Sequence, residues 1–98
     1  MIVLEQKYLD IILRILQRWV PNCEVLAFGS RVHQRGLKPF SDLDLVLITK
    51  QPLDISHYGK IKESFSESDL PIRVDIADWS LISDSFKEMI RNEHERFQ

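Results

Sequence analysis

The stretch from residue 28 to residue 48 constrains the fold most, because it joins two apolar segments through a tight turn, a basic spacer loop (residues 31–40) and two acidic residues. We interpret it as a strand that ends in the turn Gly29-Ser30, a loop, and a second strand whose first residues include Asp42 and Asp44. Side chains alternate between the two faces of a strand, so carboxylates two residues apart are expected on the same side. The stretch therefore predicts two carboxylates held close together after a glycine-containing turn.

Two such carboxylates repel each other unless a cation lies between them or one of them is protonated. A divalent metal ion is the simplest solution, and Mg²⁺ prefers a couple of carboxylates together with phosphate oxygens and water. The turn suits the phosphate, because Gly29 has no side chain to block a close backbone approach and Ser30 has a hydroxyl donor. This pattern predicts an enzyme that acts on a nucleoside triphosphate.

Length and composition limit the remaining possibilities. We expect residues 1–98 to form a single domain, and the 44% hydrophobic content is enough for a proper core. The formal net charge of −2 gives no overall attraction for nucleic acid or for an acidic membrane. The single cysteine, Cys23, excludes an internal disulfide and favours a cytoplasmic location. We expect no signal peptide and no membrane span, since no apolar run approaches roughly 20 residues.

Hydrophobic spacing predicts helices that alternate with short strands. The order predicts an α/β fold, a small mixed β-sheet backed by helices. The last helix is expected to present Phe86, Met89 and Ile90 on its inner face. The predicted elements are a helix over 3–19, a strand over 24–28, a strand over 43–49, a helix from Asp54 or Ser56 to about Ser66, a strand over 72–77 and a helix from Ser80 or Ser83 onwards.

A third acidic residue, Asp75, lies within an apolar strand, where an unpaired carboxylate would be costly. If this strand lies beside the second one, Asp75 joins Asp42 and Asp44 around the same metal ions. Three carboxylates and a phosphate-holding turn are the components of a two-metal site for phosphoryl or nucleotidyl transfer. The alternative for Asp75 is a structural pairing with Arg73 or a position at the edge of the sheet.

These residues carry a resemblance to a known family. Residues 29–31, 41–45 and 74–75 resemble the motifs of the nucleotidyltransferase superfamily typified by DNA polymerase β, in its minimal (MNT) branch. The resemblance covers nearly the whole chain and implies the polymerase β-like nucleotidyltransferase fold. The residues that it implies for nucleotide binding are Gly29, Ser30 and Arg31. The acids that it implies as both catalytic and metal-binding residues are Asp42, Asp44 and Asp75.

The resemblance also implies a partner and a substrate. Minimal members of this family are commonly paired with a separate, all-helical HEPN protein, which in several pairs is an RNase toxin that receives AMP on a tyrosine. The resulting hypothesis is Mg²⁺-dependent AMP transfer from ATP, with two metal ions, to a HEPN partner within a hetero-oligomer. We expect no direct binding of nucleic acid by this chain. The rival hypothesis is a catalytically silent protein that binds nucleotide or partner and neutralises the HEPN protein by complex formation.

Overall fold

The computed structural model describes residues 2–98, which form four helices, four strands and one 3₁₀ turn. Among these elements, no helix is both long enough and apolar enough to cross a membrane. In chain order they are helix α1 (Gln6–Trp19), strand β1 (Glu24–Phe28), helix α2 (Ser30–His33), strand β2 (Leu43–Ile48), helix α3 (Ile55–Ser66), strand β3 (Val74–Asp78), the 3₁₀ turn (Trp79–Leu81), helix α4 (Asp84–Asn92) and strand β4 (Glu95–Arg96).

The four strands form one mixed sheet in the order β3-β2-β1-β4. Strand β1 pairs antiparallel with β2 and with β4, whereas β2 and β3 are parallel and are connected through α3. A parallel pair needs such a crossover, because the chain must return to the same end of the sheet. The predicted α/β fold with a small mixed sheet backed by helices is confirmed.

Both faces of the sheet are covered, which explains why β1 and β2 are almost continuously apolar. On one face the leucines of β2 pack with α1 and α3, where Ile61 is fully buried. On the other face Val46 of β2 packs with Phe28 and with Ile90 of α4. Asp44 is two residues before Val46, so its side chain belongs to the face that α4 covers.

Two helices begin at polar residues that cap them. Asp54 Oδ2 accepts hydrogen bonds from the backbone N–H groups of Ser56 and His57 at 3.1 and 3.3 Å. Ser83 Oγ accepts one from the N–H of Phe86 at 3.2 Å. Such caps satisfy N–H groups that have no partner within the helix. The structure thus selects Asp54 and Ser83 from the alternative starts that the sequence left open.

Some boundaries differ from the prediction. Helix α1 begins at Gln6 rather than at residue 3, and the third strand begins at Val74 rather than at residue 72. Met89 was expected on the inner face of the last helix, but it is 53% exposed, because α4 contacts the sheet through Ile90 instead. Strand β4 was not predicted, and it extends the sheet by pairing with β1.

Candidate active site

The three predicted aspartates lie at one end of the sheet. Asp44 of β2 is paired with Asp75 of β3 in the parallel register. Asp42 directly precedes β2, two residues before Asp44, and one arginine side chain contacts both Asp42 and Asp75. The structure therefore brings together, from two neighbouring strands, the three carboxylates that were predicted to act together.

The arginine that makes these contacts is Arg73, the residue before β3. Its Nη2 lies 3.1 Å from Asp42 Oδ2, and its Nε lies 3.2 Å from Asp75 Oδ1. The charges of Asp42 and Asp75 raise the pKa of Arg73, so the guanidinium stays charged. The side chain is 73% exposed. The pairing of Asp75 with Arg73, which the sequence left open as an alternative to metal binding, is present in the structure.

Asp44 has the most strongly perturbed electrostatic environment of the three. Burial raises the pKa of Asp44, and the charges of Asp75 and Asp42 raise it further. The positive charges of Arg73 and His33 oppose this only in part, so the pKa lies at about 6. A carboxylate that is half-buried beside two others is stabilised in its charged form by a nearby cation. Asp44 is therefore the side chain around which a cation would be most favourable.

Gly29 brings the turn after β1 into direct contact with Asp44. Its backbone has φ of +80° and ψ of −162°, a conformation that is essentially restricted to glycine. A Cβ atom at this position would lie 2.3 Å from Asp44 Oδ2, well inside van der Waals contact. Its carbonyl accepts hydrogen bonds from the N–H groups of Val32 and His33, which begins α2 at Ser30. The turn and the carboxylates thus form one site, with Ser30 at its border.

Arg31, one of the residues predicted to bind the nucleotide, has a buried side chain. The side chain is only 6% exposed, and its guanidinium donates four hydrogen bonds to backbone carbonyls. These carbonyls belong to Val3, to Pro39 and, twice, to Ser41, at 2.9 to 3.2 Å. Through these hydrogen bonds the guanidinium holds the spacer loop against the N-terminal segment (residues 2–5) that precedes α1. The geometry favours a structural role for Arg31 over direct contact with phosphate.

The basic spacer is fixed by further contacts that the sequence did not reveal. Arg35 forms an ion pair of 2.7 Å with Glu93, which follows α4. Ser41 Oγ accepts a hydrogen bond of 2.9 Å from the backbone N–H of Lys38, whose side chain is exposed. Because 58 residues separate Arg35 from Glu93, no local pattern could have indicated this pair.

Two grooves border this region. One, of about 420 Å³, opens beside Asp75 at the outer edge of β3. The other, of about 580 Å³, lies between the N-terminal segment and the spacer loop, and the three aspartates are not among its lining residues. The groove beside Asp75 therefore offers the more direct access to the carboxylates. Its lining residues are Lys62, Phe65, Ser66, Leu70, Ile72, Arg73, Val74 and Asp75.

The carboxylates fit a hard divalent cation by their chemistry. Within residues 2–98, no group of three or more His, Cys, Asp or Glu side chains is arranged closely enough to hold a metal ion. The positive charge between Asp42 and Asp75 is supplied by Arg73 instead. Carboxylate oxygens are nonetheless donors that Mg²⁺ prefers, and Asp44, whose pKa is raised by burial and by its neighbours, lacks a full counter-charge. The residues that would hold such an ion are Asp42, Asp44 and Asp75.

The mixed sheet, the glycine turn and the three carboxylates define a nucleotidyltransferase. The family model for the nucleotidyltransferase domain matches residues 9–97, and the chain belongs to this family. The resemblance and the class of enzyme that were predicted from the sequence are confirmed. Over 88 residues the chain is 49% identical to "Probable protein adenylyltransferase MntA" of Haemophilus influenzae (strain ATCC 51907 / DSM 11121 / KW20 / Rd). That alignment covers 90% of this chain and 76% of the relative.

Solved structures of lower sequence identity share the fold. A crystal structure of a toxin–antitoxin with AMP-PNP matches with a TM-score of 0.73 and 20% identity, over 92% of this chain and 72% of that chain. A complex of the tri-AMPylated Shewanella oneidensis HEPN toxin with its MNT antitoxin matches with a TM-score of 0.69 and 18% identity, over 97% of this chain and 72% of that chain. At these identities the likeness is one of fold.

Proposed function

We propose that this chain transfers AMP from ATP to a helical HEPN-type partner protein and acts as the antitoxin of a toxin–antitoxin pair. The observation that carries the proposal is the pairing of Asp44 with Asp75, with the turn at Gly29 packed against Asp44. The named relative, an adenylyltransferase at 49% identity, supports AMP as the transferred group. The fold shared with an MNT antitoxin in complex with a HEPN toxin supports the partner and a hetero-oligomer.

The proposal assigns a separate task to each part of the site. The acceptor hydroxyl would lose its proton and bond to the α-phosphorus of ATP, while the bond to the β-phosphate breaks and pyrophosphate leaves. Two Mg²⁺ ions held by Asp42, Asp44 and Asp75 would lower the pKa of that hydroxyl and neutralise charge on the triphosphate and on the leaving pyrophosphate. The turn at Gly29 lets the backbone approach the triphosphate, and the Ser30 hydroxyl donates a hydrogen bond to a phosphate oxygen.

Asp75 and Arg31 have different tasks in this proposal. Asp75 belongs to the edge strand β3 and faces the open groove, so it orients the acceptor hydroxyl that enters from that side. Arg31 contributes indirectly, because its hydrogen bonds to Pro39 and Ser41 fix the loop that leads into Asp42. A cytoplasmic location and a single domain over residues 1–98 stay predictions.

The second candidate is a catalytically silent protein that neutralises its partner by covering it. One observation favours it, because Arg73 already satisfies the charges of Asp42 and Asp75 without a metal ion. The raised pKa of Asp44 favours the enzyme, because an arginine that pairs with the two neighbouring carboxylates leaves this third one poorly compensated.

Transfer of labelled AMP separates the two candidates. The chain is incubated with the protein encoded by the adjacent gene, the expected HEPN-type partner, with ATP labelled at the α-phosphate and with Mg²⁺, and covalent label on the partner is measured. The enzyme predicts label with the native chain and its loss in Asp44→Asn, while the complex still forms. Asp10→Asn is the matched control, because Asp10 is an exposed residue of α1 that should leave transfer unchanged. Neutralisation of the partner by Asp44→Asn without any label would favour the silent protein.

A further inference from the structure

Arg73 occupies carboxylate oxygens that a metal ion would need. Its Nη2 contacts Asp42 Oδ2 at 3.1 Å and also lies 3.4 Å from Asp75 Oδ2, while its Nε contacts Asp75 Oδ1 at 3.2 Å. The guanidinium therefore bridges two carboxylates that come from different strands. A divalent cation and the guanidinium compete for these oxygens, because two positive charges bound to the same carboxylates repel each other and each weakens the binding of the other.

The side chain is poorly suited to a packing role. It is 73% exposed, so it buries little apolar surface, and ion pairs between exposed groups contribute little to folding. Its exposure also leaves it free to leave the carboxylates without disturbing the core. The two properties together distinguish Arg73 from Arg31, which is buried and has its guanidinium committed to backbone carbonyls.

We propose that Arg73 is an internal counter-ion that competes with the divalent cation for Asp42 and Asp75 and moves aside when the cation binds. The inference rests on the proposed function, because it assumes that these carboxylates bind metal. Without a metal ion, Arg73 limits the repulsion between the carboxylates. With a metal ion, the same positive charge weakens binding. Arg73 is thus a positioning residue that sets the affinity of the site for its cation.

The test is a calorimetric titration of the nucleotide-free chain with Mn²⁺ at low salt, which measures the affinity for the ion. Arg73→Gln removes the competing charge, so we expect it to bind Mn²⁺ roughly threefold to tenfold more tightly than the native chain does. Arg73→Lys keeps the charge and is expected to bind with an affinity close to that of the native chain. Arg14→Gln is the matched control, because it removes an equal charge from an exposed position on α1. The difference is expected to shrink in 0.5 M salt, where roughly 4 Å of screening length remains.

Thermal unfolding provides a second measurement. In EDTA, Arg73→Gln is expected to melt only slightly below the native chain, because the carboxylates lose their counter-ion but exposed ion pairs contribute little to stability. At the same saturating concentration, Mn²⁺ is expected to raise the melting temperature of Arg73→Gln by more than it raises that of the native chain, since the stabilisation grows with the logarithm of the ligand concentration divided by Kd.

The outcomes separate this inference from the function on which it rests. If the native chain binds Mn²⁺ and Arg73→Gln binds it equally or more weakly, competition by Arg73 is overturned and the proposed metal site stands. If neither chain binds Mn²⁺ at millimolar concentrations, the inference and the proposed metal site are both overturned. Tighter binding by Arg73→Gln alone, with Arg14→Gln unchanged, supports the inference.

Discussion

Replacing Gly29 by alanine tests the contact between the turn and the carboxylates most sharply. The added Cβ would lie 2.3 Å from Asp44 Oδ2 and 3.2 Å from Asp44 Cγ. The backbone conformation at Gly29 adds a cost of about 1–3 kcal/mol for a residue with a Cβ atom. The carboxylate is the end of a side chain, so it can rotate away, and we expect the loss of stability to stay near that backbone cost.

The loss of activity should be much larger than the loss of stability. The rotated carboxylate of Asp44 would no longer lie beside Asp75 in the position needed to hold the same metal ions. We therefore expect Gly29→Ala to reduce AMP transfer about 100-fold. Urea denaturation measures the stability of the variant, and label on the partner protein measures its activity under conditions in which the variant is fully folded.

Gly36→Ala is a control for the backbone cost alone. Gly36 also has a positive φ, of +67°, but a Cβ atom there would meet nothing within 4 Å. The expected result is a loss of about 1 kcal/mol of stability with AMP transfer unchanged. Full transfer by Gly29→Ala would refute the reasoning, because it would show that the contact with Asp44 is dispensable.

Three other substitutions probe the fold around the site. Gly59→Ala should stabilise the chain by about 0.5–1 kcal/mol, because Gly59 lies within α3 with open space around it; a loss of stability in urea denaturation would contradict this. Arg31→Lys should destabilise the chain by about 1–3 kcal/mol with little change in ATP affinity, whereas weaker ATP binding at unchanged stability would indicate a phosphate contact. Burial raises the pKa of Asp78, but hydrogen bonds from Ser80, Thr49 and Leu53 outweigh this effect, so the pKa lies below 3.8. The stability that Asp78 provides is therefore lost as the pH falls through this lowered pKa. Asp78→Asn should therefore lower the free energy of unfolding by about 1–3 kcal/mol at pH 7, and its stability should fall less steeply than that of the native chain below pH ~4. An equally steep fall of stability with pH in the two chains would contradict this prediction.

The sheet and the carboxylates could be predicted because their signals are local. The alternation of side chains placed Asp42 and Asp44 on one side, and the alternating residues 72–77 predicted the strand that carries Asp75. Local patterns do not show which strands are neighbours in the sheet, so the position of this strand beside β2 was an assumption. The parallel pairing of Asp44 with Asp75 bears it out.

The features that the sequence did not predict depend on distant contacts. Strand β4 consists of two polar residues without periodicity, and it exists because Leu26 and Ala27 offer them an open strand edge. Arg31 belongs to a basic segment that suggests phosphate binding, yet three loop carbonyls surround its guanidinium. A charge pattern shows that a cation is present, but the direction of a long side chain depends on the acceptors that the tertiary fold places around it.

The most direct test of the central claim is the location of the metal ion. Crystals of the chain grown with Mn²⁺ and a non-hydrolysable ATP analogue would show the ion by anomalous diffraction. We expect a peak within bonding distance of Asp42, Asp44 and Asp75, with the triphosphate against the turn at Gly29 and Ser30. A peak elsewhere, or a nucleotide in the groove between the N-terminal segment and the spacer loop with Asp42 and Asp75 still paired to Arg73, would contradict it.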